Sequence, residues 1–149
     1  MKNENTRRII TLIIRAAVAA VFLYAGFSKV GDPAAFAQAI ERYRIVPREV
    51  AALAALFLPL LEIACAIALL FFKKLRAGAS ALLAACSAVF VVMIAIALAR
   101  GLDISCGCFG GPDAATGSAA LTLSLVRALA LAAACAWLLA RDMKTKPAG

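Results

Sequence analysis

Four stretches of this chain, near residues 9–30, 50–72, 77–99 and 119–140, are apolar over more length than the surface or core of a small soluble domain accommodates. Crossing the hydrocarbon of a bilayer takes roughly 20 such residues at about 1.5 Å of rise each. Inside lipid every backbone N–H and C=O must find a partner within the chain, so runs of this kind resolve into helices. The expectation is an all-α integral membrane protein, a four-transmembrane-helix bundle in which residues 1–149 form a single membrane domain. Composition agrees. Hydrophobic residues make up 65% and charged residues 16%, against roughly half apolar in soluble domains. A competing reading takes the first stretch as a cleaved signal peptide, with Lys2, Arg7 and Arg8 as its basic start and Ala35-Phe36-Ala37 as the cleavage site. That stretch is too long for the apolar region of a signal peptide, and it contains Arg15.

The formal charge of +8 suggests nucleic acid only until the positions of the charges are read. Basic residues gather at the ends of the apolar runs, where membrane topology accounts for them. On one side lie Lys2, Arg7, Arg8, Lys73, Lys74, Arg76, Arg141, Lys144 and Lys146. The other side holds Arg42, Arg44, Arg48 and Arg100, offset by Asp32, Glu41, Glu49, Asp103 and Asp113. This asymmetry places both termini in the cytoplasm of a bacterial-type inner membrane and the first and third connections outside it. The bilayer is the expected partner, and nucleic acid is not. Histidine is absent, which removes the commonest general base and the commonest metal ligand.

The first connection carries a helix of its own. Asp32-Pro33 is a start signal, with Asp as cap and Pro at the first helical position. Phe36, Ala39, Ile40 and Tyr43 then recur at helical spacing, and Pro47 ends the run. An amphipathic helix on the outer membrane surface fits this pattern; an irregular loop with chance periodicity is the alternative.

The third connection, near residues 100–118, contains the segment "DISCGCFGGPD". Cys106 and Cys108 stand one residue apart, on the side of the membrane where disulfides form and persist. A disulfide across so small a ring is strained, Gly107 absorbs part of that strain, and strain eases reduction. Such a pair suits thiol–disulfide exchange. Two thiolates also suit Cu(I) or zinc, though a closed zinc site needs further ligands from another subunit. An inert, structural pair is the third reading.

Cys65, Cys86 and Cys135 fall within the spans, where close packing of small side chains explains them better than a thiol relay. Arg15, Glu62 and Arg127 are ionisable groups inside spans, with Lys29 near the outer end of the first. Such groups are costly in lipid and normally pair inside the bundle. They form either a polar lock, with Glu62 between cations, or a polar pocket for a quinone head group or a proton step. Pro59, one turn before Glu62, is placed to open the helix there.

Taken together, "RAAVAAVFLYAGFSKVGDPAAFAQAIERYRIVP", "LPLLE", "KKLRAGA" and "CGCFGG" resemble the MauE/DoxX family of redox-associated membrane proteins, and C-G-C-F-G brings the chain closest to the MauE branch. The resemblance spans roughly Arg15 to Arg127 and implies that Cys106 and Cys108 are the redox pair. It also matches recurrent family positions at Arg15, Gly26, Lys29, Asp32, Tyr43, Pro47, Pro59 and Glu62. It further implies a role in disulfide maturation beside an extracytoplasmic thioredoxin-like, MauD-like partner, in the setting of methylamine utilisation. The membrane oxidases DsbB and VKOR share the four-helix design, but they carry a C-x-x-C beside a quinone, and no such motif occurs here. A quinone-coupled oxidoreductase and a non-enzymatic membrane anchor or assembly subunit stand as the alternative functions.

Overall fold

The lipid-spanning expectation is met by a computed structural model that describes residues 2–101 and 118–144. Among them are α1 (Lys2–Gly31), α2 (Pro33–Arg42), α3 (Arg48–Phe71), a 3-10 turn (Lys73–Leu75), α4 (Arg76–Ala99) and α5 (Ser118–Lys144). Four of these helices are long and apolar enough to cross a membrane. The helix α1 begins seven residues before the apolar run at 9, because the polar turns at its start continue the same backbone hydrogen bonding. Hydropathy sees only the part of a helix that needs lipid.

The chain turns where the sequence signals it. The Asp32 carboxylate accepts a hydrogen bond from the Ala35 backbone N–H at 2.9 Å, and Pro33 opens α2. After Tyr43, Arg44 takes a left-handed conformation, φ 52°, and reverses the chain toward Pro47 and α3. At the far end of α4, Gly101 adopts φ 62° and donates its N–H to the Leu98 carbonyl at 3.1 Å, a glycine stop of the usual kind.

α2 is the helix expected between the first two spans. Its apolar face, Phe36 and Ile40, is buried against Ala51 and Ala55 of α3, with Phe90 and Met93 of α4 packed beside them. Protein covers that face, so α2 closes one end of the bundle. Tyr43 joins Ile94 and Ala97 of α4 and Leu121 of α5 in a second cluster at the same end. The largest cluster lies toward the other end, where Val18, Phe22, Cys65, Leu69, Leu83, Cys135 and Leu138 meet. Cys65 and Cys135 are buried free thiols within it, which is the packing role expected of them.

Outside these clusters the surface is apolar. Phe27, Phe57, Val89 and Leu123 are among many large hydrophobic side chains left more than half exposed. In water such a surface drives aggregation, and in a bilayer it is the lipid-facing wall. α4 packs closely along α5 and α1 along α3, whereas α5 touches α1 only sparsely.

The α1–α3 contact is tight at Gly26. A Cβ there would stand 2.6 Å from Ile63 Cγ1 and 3.2 Å from the Pro59 carbonyl oxygen. α3 runs through the buried Pro59 as one continuous helix, so the opening expected at Pro59 is not a break. Gly26→Ala is expected to lower stability in detergent by about 1–3 kcal/mol, the usual cost of overpacking. At Gly78 a Cβ meets nothing within 4 Å, and Gly78→Ala is expected to raise stability by under about 1 kcal/mol. Thermal unfolding of both variants checks the pair.

Candidate functional site

An ammonium group in a lipid-embedded bundle needs an anion, and α1 and α3 bring one to it. Lys29 and Glu62 are 3% and 1% exposed. The Lys29 Nζ donates to Glu62 Oε1 at 3.0 Å and to Oε2 at 2.8 Å. The same Nζ lies 5.0 Å from the centre of the Phe36 ring and 4.8 Å from that of Phe90. A cation at this distance from an aromatic ring is attracted by the ring's quadrupole, more strongly when water is excluded. One side chain of α1 therefore engages α3 through charge, and α2 and α4 through ring faces.

Beside the pair is a cavity of about 60 Å³, lined by Lys29, Glu62, Ser87, Ser124 and Arg127 among mostly apolar neighbours from α1, α4 and α5. The Ser87 hydroxyl does not face it as a free donor, since it donates to the Leu83 carbonyl at 2.9 Å. An apolar cavity that accepts benzene measures about 150 Å³, while one water occupies about 10–15 Å³ on the same kind of measure. On that measure the space suits a few waters.

Arg15 is elsewhere. It follows Lys29 back along α1 by 14 residues, about 21 Å of helix at 1.5 Å each. The two cations cannot share one carboxylate. Arg15 Nη2 instead donates to Asp142 Oδ1 of α5 at 2.6 Å, with side-chain exposures of 8% and 12%. Arg76 closes the same end, its guanidinium donating to the Leu69 and Leu70 carbonyls at 3.2 and 3.1 Å. Of the expected polar group, then, the structure brings Lys29, Glu62 and Arg127 together and gives Arg15 a different partner. Asp142 was missed by the sequence reading because it sits in the charged last turn of α5, where a carboxylate draws no notice.

The second expected site, Cys106 and Cys108, lies outside the described residues. Its attachment points are described. α4 ends at Arg100 and Gly101 and α5 begins at Ser118, with Ala97 and Leu121 packed on Tyr43. Both attachments are therefore at the end closed by α2. Burial raises the Tyr43 phenol above its usual pKa, and its hydroxyl is buried without a hydrogen-bond partner among the described residues.

A match to the family model of methylamine utilisation protein MauE runs over residues 7–141, from the first turns of α1 to the last turn of α5. The chain belongs to the MauE family. No curated protein and no solved structure matches it. α2, α3, α4, most of α1 and α5, and the C-G-C segment fall inside the MauE match, so the ion pair and the thiol segment belong to one family unit.

Glu62→Ala leaves Lys29 as an uncompensated buried charge and is expected to cost roughly 3–5 kcal/mol. The double variant Lys29→Met, Glu62→Leu removes both charges at similar volume and is expected to recover most of that loss. Unfolding of the two in detergent measures the difference. A double variant as unstable as Glu62→Ala would mean that the pair contributes more than charge compensation.

Proposed function

We propose that this MauE family protein is a membrane thiol–disulfide exchange component whose exchanging groups are Cys106 and Cys108. In this reading it works with an extracytoplasmic thioredoxin-like, MauD-like protein in disulfide maturation or electron transfer, within the methylamine-utilisation setting that the family's description names. The observation that carries it is the C-G-C-F-G segment, inside the family match and between two helices that both end at the α2 side of the bundle.

The chemistry balances without a further cofactor. One thiolate of the pair attacks a sulfur of the partner's disulfide; the partner's S–S bond breaks, and the leaving thiolate takes up a proton. The second cysteine, losing its proton, attacks the mixed disulfide. A Cys106–Cys108 disulfide forms and the partner leaves as a dithiol, two electrons richer. The reverse sequence oxidises the partner. The neighbouring glycines Gly107, Gly110 and Gly111 leave room for a partner's backbone to approach. The cation at Arg100 favours the thiolate form. The bundle serves as a platform, with Lys29 and Glu62 holding α1 to α4 in register.

The orientation proposed from the basic residues puts the thiol pair and α2 outside the cytoplasm and both termini within it. Thiol trapping on spheroplasts tests chemistry and sidedness together. Acid quenching and tagging with a mass-shifting maleimide are expected to show Cys106 and Cys108 passing between dithiol and disulfide forms, with an impermeant reagent reaching them from outside. A single Cys106→Ser or Cys108→Ser change is expected to accumulate a mixed disulfide with the partner. If the double serine variant supports partner function as well as wild type, the chain is an anchor or assembly subunit and the exchange reading fails.

A further inference from the structure

The end of the bundle away from α2 is built as a basic vestibule. A recess of about 720 Å³ is bordered by Arg7, Arg8 and Arg15 of α1, Lys73 of the turn, Arg76 of α4 and Arg141 of α5. Against these six cations stand, among the described residues lining the recess, Glu4 and Asp142. Positive charge at span ends follows from membrane topology alone, and exposed lysines and arginines need no ligand. Arg15 is different. It is 6% exposed, and while its Nη2 is held by Asp142, its Nε is buried with no hydrogen-bond partner among the described residues. An arginine fork fixed by a carboxylate at one corner, with another donor unused, on a residue that lines a cationic recess, is a preorganised receptor for oxyanions.

The level of the recess narrows the ligand. Trp137, one turn before Arg141 on α5, has the Arg141 guanidinium 4.9 Å from its ring centre. Tryptophan at a span end marks the membrane–water interface, where phospholipid phosphates lie. The exposed Phe71 and Phe72 at the end of α3 stand at the same end. The geometry points to this vestibule as a binding site for a phosphate-bearing anion, with Arg15 at its floor and Arg8 and Lys73 at its rim. An anionic phospholipid headgroup supplies that chemistry from the membrane, and a soluble phosphate supplies it from water. Basic pockets between spanning helices take lipid headgroups in this way. The site is independent of the thiol pair, which attaches at the opposite end.

Trp137 is the chain's single tryptophan, which gives a direct readout. The full-length protein in neutral detergent is titrated with phosphatidylglycerol, phosphatidylcholine or inorganic phosphate. Trp137 fluorescence is followed, and retained lipid is counted by native mass spectrometry. A saturable response to phosphatidylglycerol and not to phosphatidylcholine is expected. Arg8→Gln and Lys73→Gln, both at exposed positions, are each expected to weaken it about fivefold. Arg42→Gln with Arg44→Gln, which lowers net charge at the other end, is expected to change nothing. Displacement of the lipid by millimolar phosphate identifies the phosphate group itself as the determinant. A phosphate titration without effect, beside a lipid response, identifies the membrane as the source. Equal retention of both lipids with no phosphate response overturns the proposal, as does a loss that follows net charge at either end of the bundle.

Discussion

A charge in hydrocarbon must be answered within reach of its own side chain, and in this bundle the Lys29–Glu62 pair meets that constraint for four helices at once. Lys29 stands at the end of α1, Glu62 in the middle of α3, Phe36 on α2 and Phe90 on α4, and the ammonium lies within 5.0 Å of each of its partners. Apolar packing alone is a weak guide to register in lipid, because one leucine against a neighbour is much like another against an acyl chain. A buried ion pair is not weak in that sense. Sliding α1 against α3 by one turn would separate the charges and leave both unpaired.

The close approach at Gly26 makes that geometry attainable. With no side chain at this position, the backbone of α1 comes down on Ile63 and on the Pro59 carbonyl, and Lys29, a turn away, is drawn within reach of Glu62. α2 then lays Phe36 over the ammonium and shuts the pair away from the membrane surface. The glycine, the lysine, the capped Asp32-Pro33 start and the carboxylate thus act as one local device.

The two ends of the molecule are specialised differently. At the α2 end the Lys29–Glu62 pair is internal, and the thiol segment attaches there through α4 and α5. At the other end the charge is basic and open, with one carboxylate, Asp142, engaged by Arg15. α5 belongs to both ends. It packs closely on α4, touches α1 sparsely, and carries Arg127 to the inner cavity and Asp142 to the vestibule. The proposed exchange chemistry on one side and the proposed anion site on the other would place different demands on the same helix, and the long α4–α5 contact connects the two ends.

Much of this was determined by the sequence alone. Length and hydropathy dictated four helices, since lipid offers no other way to satisfy a backbone. Asp32, Pro33 and Gly101 set helix ends through local hydrogen bonds that depend on nothing distant. The rarity of charge within spans marked Arg15, Lys29, Glu62 and Arg127 as significant, and the C-G-C-F-G segment marked the thiols. Which cation would meet Glu62 was decided only by tertiary structure. Periodicity describes one helix at a time, whereas the choice between Arg15, Arg127 and Lys29 depends on the relative register of helices joined by loops. The pairing of Arg15 with Asp142 joins residues 127 positions apart, and the unremarkable aspartate acquires its role from the arginine that the fold sets beside it. The apolar face of α2 was legible as a pattern, but a pattern does not say whether lipid or protein covers it; the packing of Phe36 and Ile40 against α3 does.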